Sequence, residues 1–223
     1  MEIEQIKEKA RTVEIDKKAQ EFYNQGITEI SEFYNYDQIE KIPPLILVEE
    51  RKEFDKIAGG ETENWVVGVT NAKLILLFTP DSYERESKNT HKYTDENYFQ
   101  LIKHEISHTI VRDLAKNMCP RWLNEGLAIY SSKQILSKRK PESFNVFLKA
   151  YKSNKMVPGI YDESGFAVEM LIQKFSKDMM IDFLKTLKDI NTEEKFKNHF
   201  ENYFKINLTY EWFNDKGYIK EVM

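Results

Sequence analysis

The sequence predicts an α+β protein, because strand-like segments come first along the chain and helix-like segments follow. Short runs rich in β-branched and aromatic residues occur only before residue 80, at 45–48, 65–69 and 73–78. From Thr94 onward, apolar residues recur at helical spacing instead. Strands followed by helices are typical of the α+β class. We therefore expect a small, mostly antiparallel sheet packed on the first of these helices, followed by a mostly helical lobe.

The N-terminal residues 2–36 are predicted to form one long helix or two consecutive helices. Their apolar residues recur every three or four positions, and Gly26 is the place where two helices would divide. We interpret the apolar stripe as a face packed on the core. Residues 1–42 are thus predicted to be a helical segment on a main domain of residues 43–223, with the whole chain one compact unit.

The predicted sheet follows this segment. Pro43 and Pro44 stop the helical pattern, and a short helix at 49–58 ends at two glycines. The second and third strands are expected to form a hairpin through residues 70–72. Residues 80–95 are polar and are predicted to be a loop. Further helices are predicted at 97–111, 121–137, 141–152, 162–176, 178–189, 192–204 and 208–214.

The composition excludes several functional classes. The formal net charge is −4 with interspersed signs, so no nucleic-acid-binding surface is indicated. The longest apolar run, 74–78, is far too short to cross a bilayer. The N-terminus lacks the apolar core of a signal peptide, so a cytoplasmic protein is expected, although a removed signal would leave the same picture. Cys119 is alone and is interpreted as a buried small hydrophobic residue rather than a nucleophile or metal ligand.

The segment from His104 to His108 carries the chemistry, because it reads His-Glu-Ile-Ser-His. Residues four apart on a helix lie one above the other, about 6 Å along the axis, so two imidazoles can reach one cation. Glu105 points about 100° away and can reach a water bound to that cation as a general base. The alternative is two histidines on an ordinary helix face. The apolar stripe that places the motif on a helix consists of Tyr98, Leu101, Ile102, Ile106 and Ile110.

A third ligand has to come from elsewhere, and Glu125 is the best candidate in the sequence. Three protein ligands plus a water form the open arrangement of a catalytic zinc, whereas structural zinc sites are closed by four protein ligands. We expect about one zinc per chain, held by His104, His108 and Glu125.

The segment 104–130 resembles the zinc signature of the gluzincin peptidases, and Trp122, Leu123, Asn124, Glu125 and Gly126 closely resemble the same stretch in the M1 aminopeptidases. The best overall resemblance is to the small peptidase MA-like domains, from about Pro43 to the C-terminus. It implies a zincin-like fold, ligands at His104, His108 and Glu125, and Glu105 as catalytic base. Glu125 follows His108 by 17 positions (125 − 108), slightly fewer than in thermolysin or M1 enzymes.

Tyr161 is the candidate donor to the tetrahedral oxyanion of a peptidase reaction, because a second donor besides the metal is needed there. It lies just before the predicted helix 162–176, and the M1 enzymes place an oxyanion-binding tyrosine before a comparable helix. The alternative is a tyrosine packed at a helix start.

Four more polar residues have simpler interpretations. His91 is predicted to be a solvated loop residue and His199 a structural one. Asn124 and Glu169 could accept hydrogen bonds from zinc-bound imidazoles.

The strand at 73–78 is expected to take an extended peptide substrate at a sheet edge. M1 aminopeptidases hold the substrate's amino group with a glutamate near this point, where this chain has Asn71. A neutral amide cannot supply a counter-charge, so an endopeptidase is favoured over an aminopeptidase.

The predicted function is therefore a zinc-dependent metallopeptidase acting on a peptide or protein. A zinc-containing binding module without turnover and a hydrolase of non-peptide amides are the alternatives. No membrane span or nucleic-acid partner is predicted, and the oligomeric state is left open.

Overall fold

The computed structural model describes residues 16–88, 90–151 and 159–215. As predicted, this part of the chain is α+β, with a small sheet and many helices. Its strands are β1 (Leu45–Val48), β2 (Gly68–Thr70) and β3 (Ile75–Phe78). Its helices are α1 (Lys17–Tyr34), α2 (Arg51–Ala58), α3 (Pro80–Glu86), α4 (Asp95–Leu114), α5 (Arg121–Ser131), α6 (Ile160–Phe175), α7 (Lys177–Lys185), α8 (Glu193–Phe204) and α9 (Tyr210–Asp215).

The chain divides into two compact units, Met1–Thr109 and Ile110–Met223, and the division falls inside α4. The predicted helical segment of residues 1–42 begins outside the described residues, so its full extent stays a prediction. No helix of the described ranges is long and apolar enough to cross a membrane.

The sheet is mixed rather than mostly antiparallel, which corrects the prediction. Its strand order is β1-β3-β2. β1 and β3 are parallel over four paired positions, from Leu45 opposite Ile75 to Val48 opposite Phe78. A parallel pair needs a long connection, and here α2, the following loop and β2 supply it. The predicted hairpin is present, because β2 runs antiparallel to β3.

β3 is the central strand, so the prediction that segment 73–78 forms the substrate-binding edge is wrong. All four side chains of β3 are buried, as expected of a strand covered on both faces. Its backbone is paired with β1 on one side and with β2 on the other. The edges of this sheet are therefore β1 and β2.

Helix α1 runs without a break through Gly26, so over residues 17–34 the chain forms one helix rather than two. A Cβ at Gly26 would lie 3.0 Å from Cδ1 of Ile106 in α4, so the glycine allows the two helices to approach closely. The buried hydroxyls of Tyr34 and Ser107 share a hydrogen bond of 2.7 Å between the same helices. The apolar face of α1 thus packs on the helix that carries the histidine motif.

Helix α3 lies within the segment 80–95 that was predicted to be a loop. Pro80 occupies the first turn, where its missing N–H costs nothing. The hydroxyls of Thr79 and Ser82 are 2.6 Å apart, and Ser82 and Tyr83 are buried. The helix was missed because its inward face is made of hydroxyl-bearing rather than aliphatic side chains.

The predicted helix at 141–152 is wrong for residues 141–151, since only the short 3-10 turn Phe147–Lys149 forms there and residue 152 lies outside the described ranges. The buried carboxylate of Glu163 accepts hydrogen bonds from the backbone N–H groups of Asn145, Val146 and Phe147 at 2.8–3.0 Å. These N–H groups therefore bond to a side chain of α6 and not to backbone carbonyls of a helix of their own.

The predicted helix 121–137 is also shorter than expected. α5 ends at Ser131, and a 3-10 turn, Gln134–Ser137, replaces the rest of it.

Aromatic residues form the core of the second unit. Trp122 is 1% exposed and contacts Phe147 at 5.0 Å between ring centroids. Its ring also lies 6.3 Å from those of Phe196 and Phe200 in α8. Because Trp122 belongs to the first turn of α5, this packing fixes the start of the helix that carries Glu125.

Candidate metal centre

Helix α4 presents both histidines of the motif on one face. The ring centroids of His104 and His108 are 4.5 Å apart, with the rings at 88° to each other. The hydroxyl of Thr94 caps the helix by accepting a hydrogen bond of 3.1 Å from the backbone N–H of Asn97. The predicted apolar stripe is buried, which confirms that the motif lies on a helix with one face in the core. Its members Tyr98, Ile102, Ile106 and Ile110 are 0% exposed and Leu101 is 8% exposed.

His104, His108 and Glu125 form a group that could hold a metal ion. One ligand atom from each residue lies within 4.8 Å of the other two. His104 is buried and the other two are half-buried. Within the described residues, this is the one group of three or more such side chains. The structure thus brings together the three residues that the sequence predicts as ligands.

The donor set is chemically suited to zinc. Two imidazole nitrogens and one carboxylate oxygen are the ligands of many catalytic zinc sites, whereas magnesium and calcium prefer oxygen ligands alone. Three protein ligands also leave one position of a tetrahedral metal open.

Glu125 is placed by the packing of α5 on α6. A Cβ at Gly126 would overlap the backbone carbonyl of Ser164 and lie 2.6 Å from Cγ2 of Val168. A Cβ at Gly165 would lie 2.8 Å from Cγ2 of Ile129. Each helix therefore places a glycine against a residue of the other, which permits a close crossing next to Glu125.

Glu105 is not a member of the three-residue group, and its carboxylate is held by strand β2. Glu105 is 5% exposed. The hydroxyl of Thr70 donates a hydrogen bond to Oε2 at 2.5 Å, and a Cβ at Gly68 would lie 2.6 Å from Oε1. Both oxygens of this carboxylate thus lie against β2, and the catalytic role of Glu105 stays a prediction.

Tyr161 lies in the first turn of α6, because the helix begins at Ile160 rather than at residue 162 as predicted. Its hydroxyl is 3.4 Å from Nη2 of Arg121, which donates the hydrogen bond. The Nε of the same guanidinium is 3.8 Å from Oε1 of Glu125. Arg121 thus connects the predicted oxyanion donor to a predicted metal ligand, and the catalytic role of Tyr161 stays a prediction.

Two histidines lie outside this group. Nε2 of His91 is 2.9 Å from the backbone oxygen of Trp65 and His91 is half-buried, so the prediction of a solvated side chain is wrong. His199 contacts the Thr186 hydroxyl at 2.7 Å and stacks on Phe183, in agreement with a structural role.

Cys119 and Glu169 also have defined surroundings. Burial raises the pKa of the Cys119 thiol well above its ordinary value, so this residue is protonated at neutral pH. Burial, and then the negative charge of Glu169, raise the pKa of Tyr130. Glu169 therefore lies close to Tyr130, and its predicted contact with a zinc-bound imidazole stays a prediction, as does that of Asn124.

Sequence reasoning missed the residues that support the predicted site. Gly68 and Thr70 are two positions apart on a strand and therefore share a face. This spacing identifies them as contacts of Glu105 only once the strand is known to cover that residue. Arg121 lies one helical turn before Glu125, and this spacing could have identified it. Glu163 gives no sequence signal, because its partners are backbone groups 16–18 positions earlier.

No protein-family model, curated protein or solved structure matches the chain.

Proposed function

We propose that the protein is a zinc-dependent metallopeptidase in which Glu105 is the general base. The observation that carries this proposal is the convergence of His104, His108 and Glu125, with the Glu105 carboxylate held separately by Thr70. A site built only to bind zinc structurally would close it with a fourth protein ligand. Among the described residues, no fourth histidine, cysteine or carboxylate joins the group.

His104, His108 and Glu125 would hold the zinc. When bound, a zinc ion acts as a Lewis acid that polarises a carbonyl and lowers the pKa of a water to about 7. Glu105 accepts the proton of the attacking water and later delivers it to the departing amine. Its low exposure limits the access of bulk water to the carboxylate during this transfer.

Tyr161 and Arg121 are proposed to stabilise the oxyanion that develops on the carbonyl oxygen. A guanidinium has five donors and no acceptor, so the oxygen of Tyr161 accepts the hydrogen bond from Arg121. In this proposal the tyrosine hydroxyl in turn donates its proton to the substrate oxygen. The positive charge of Arg121 strengthens this donor.

The loop before β3 supports an endopeptidase rather than an aminopeptidase. The side-chain oxygen of Asn71 accepts hydrogen bonds from the backbone N–H groups of Lys73 and Leu74, at 2.8 and 3.1 Å. Asn71 therefore stabilises its own turn and carries no charge for a substrate ammonium group. Since β3 is internal, we propose that an extended peptide lies along the edge strand β2 instead.

The test is cleavage of an unbiased peptide library by zinc-loaded protein, by chelated protein and by Glu105→Gln. We expect cleavage that chelation abolishes and added zinc restores. Glu105→Gln should retain its zinc and lose at least about 100-fold in rate, since general-base catalysis typically contributes 10²–10⁴-fold.

Glu142→Gln is the matched control, because this glutamate side chain is 89% exposed and pairs with Arg139 at the surface. It should cleave like the unaltered protein. Undiminished cleavage by Glu105→Gln would overturn the mechanism. Full zinc occupancy with no cleavage of any peptide would favour the binding module instead.

A further inference from the structure

Two residues of β2 lie on the face of the sheet that meets Glu105. Gly68 and Thr70 are opposite Leu77 and Ile75 of β3, with Val69 between them. Side chains alternate between the two faces of a strand, so positions 68 and 70 share one face and position 69 takes the other. Both residues contact the same carboxylate, one at each oxygen.

Thr70 fixes one oxygen of Glu105. Its hydroxyl is 2.5 Å from Oε2 and 3.3 Å from the backbone oxygen of the same residue. Since the Glu105 side chain has several rotatable bonds and α4 fixes only its backbone, this contact selects one rotamer.

Gly68 supplies the space for the other oxygen. A Cβ at this position would lie 2.6 Å from Oε1 and 2.8 Å from Cδ2 of Leu77. Leu77 is fully buried in the central strand, so the packing around it limits how far its Cδ2 can shift. The backbone of Gly68 is not left-handed, so this position does not need the conformational freedom of glycine. It needs glycine because a larger side chain would occupy the space of Oε1.

We propose that Gly68 and Thr70 are the positioning residues of Glu105, and that they leave Oε1 as the oxygen that accepts the proton from water. Thr70 donates its proton to Oε2, so that oxygen is already engaged, whereas Oε1 lies over the bare backbone of Gly68. This inference rests on the proposed peptidase function. The edge strand β2 thereby sets the geometry of proton transfer.

The first experiment measures turnover of the zinc-loaded protein. Thr70→Val keeps the shape of the side chain and deletes the donor. A misplacement of a catalytic group by about 1 Å can cost about 100-fold, so kcat should fall by roughly 10- to 100-fold. KM and zinc content should stay nearly unchanged, because a peptide along β2 would pair with the backbone of the strand and the three metal-holding residues do not involve this hydroxyl.

Thr70→Ser should recover most of that loss, because it restores the hydroxyl. Gly68→Ala should lower kcat as Thr70→Val does. Thr28→Val is the control, since this exposed threonine bonds only to the backbone of its own helix. A normal kcat in Thr70→Val would overturn the proposal, and so would equal losses in the serine and valine variants.

The second experiment needs no activity and separates failure of this inference from failure of the proposed function. Urea unfolding of the metal-free protein is measured for the unaltered chain, Thr70→Val, Glu105→Ala and the double variant. If the hydroxyl acts through the Glu105 carboxylate, Thr70→Val lowers the unfolding midpoint more in the unaltered chain than in Glu105→Ala, where only its contact with the backbone oxygen of residue 105 remains to be lost. The same cycle with Gly68→Ala should show that Glu105→Ala relieves part of its destabilisation.

Additive effects in both cycles would overturn the positioning role, whether or not the protein cleaves peptides. Coupled effects in a protein that cleaves no peptide would instead overturn the peptidase function and leave the contact between β2 and Glu105 standing.

Discussion

Gly126 of α5 lies directly against the backbone carbonyl of Ser164 in α6, with no room for a side chain between the two helices. The contact is one residue from Glu125, the third member of the candidate metal group. Gly165 and Ile129 repeat the arrangement one turn along, with the glycine on the other helix. The close crossing therefore sets the position of the helix that carries Glu125.

Gly126→Ala should destabilise the protein by roughly 1–3 kcal/mol, because the added methyl group overpacks a tight helix crossing. The opposing atoms include backbone, which cannot rotate away. Urea unfolding measures the effect. Gly60→Ala is the matched control, since a Cβ at Gly60 would have nothing within 4 Å and its backbone is not left-handed. Equal effects of the two substitutions would contradict this account.

Zinc binding should depend on three side chains. His104→Ala, His108→Ala and Glu125→Ala should each reduce zinc content from about one equivalent to a small fraction at nanomolar free zinc, because each removes one of three protein ligands. Elemental analysis after gel filtration checks this. His199→Ala should leave the zinc content unchanged, because His199 contacts Thr186 and Phe183 instead. Retention of zinc by all three alanine variants would show that the metal group is misassigned.

Tyr161→Phe should lower kcat with little change in zinc content. Loss of one oxyanion donor typically costs 10²–10³-fold in kcat. Steady-state kinetics on a cleaved peptide measure the change. Tyr203→Phe serves as the control, because Tyr203 packs on Phe183 and His199 in the aromatic core of α7 and α8. If Tyr161→Phe turned over normally, the tyrosine would be a packing residue at the start of α6.

Glu163→Ala should destabilise the fold by about 1–3 kcal/mol, because it leaves the backbone N–H groups of residues 145–147, of which that of Phe147 is buried, without their acceptor. Thermal unfolding of the metal-free protein isolates this effect from zinc binding. The surface variant Glu142→Ala should unfold like the unaltered protein, since exposed ion pairs contribute little. An unchanged midpoint in Glu163→Ala would mean that the segment finds other acceptors.

Cys119 should react slowly with thiol reagents at pH 8 in the folded protein and rapidly in urea. Burial raises its pKa, and only the thiolate is nucleophilic. Because the folded pKa exceeds the unfolded value of about 8.5, the thiol contributes stability that is present below this pH and is lost as the pH rises above it. Cys119→Ser should remove that part of the pH dependence. Fast labelling of the folded chain at pH 8 would contradict the buried thiol.

The histidine motif was predictable because its information is local. Four-residue spacing on a helix with an apolar stripe places His104 and His108 together whatever the rest of the chain does. Glu125 could be named for a related reason, since the segment that holds it begins a helix behind Pro120. Its approach to the histidines depends on packing, and the structure supplies that.

The errors of the sequence prediction arise where long-range contacts override local pattern. The sequence left one helix or two open at Gly26, and α1 continues through it where α4 approaches closely. The segment at 141–151 has helical spacing, yet Glu163 draws its backbone N–H groups away from a helix. Strand 73–78 reads as an edge, yet β1 pairs with it in parallel through a connection that includes α2.

The sequence by itself determined the α+β class, the motif helix and the identity of the three residues that could hold a metal. These follow from the period of helices and strands and from the chemistry of side chains at fixed spacing. Tertiary structure alone decided that β2 holds Glu105, that Arg121 contacts Tyr161 and that glycines admit a close crossing beside Glu125. Those relationships join residues 35–40 positions apart, and no local period encodes which of them meet.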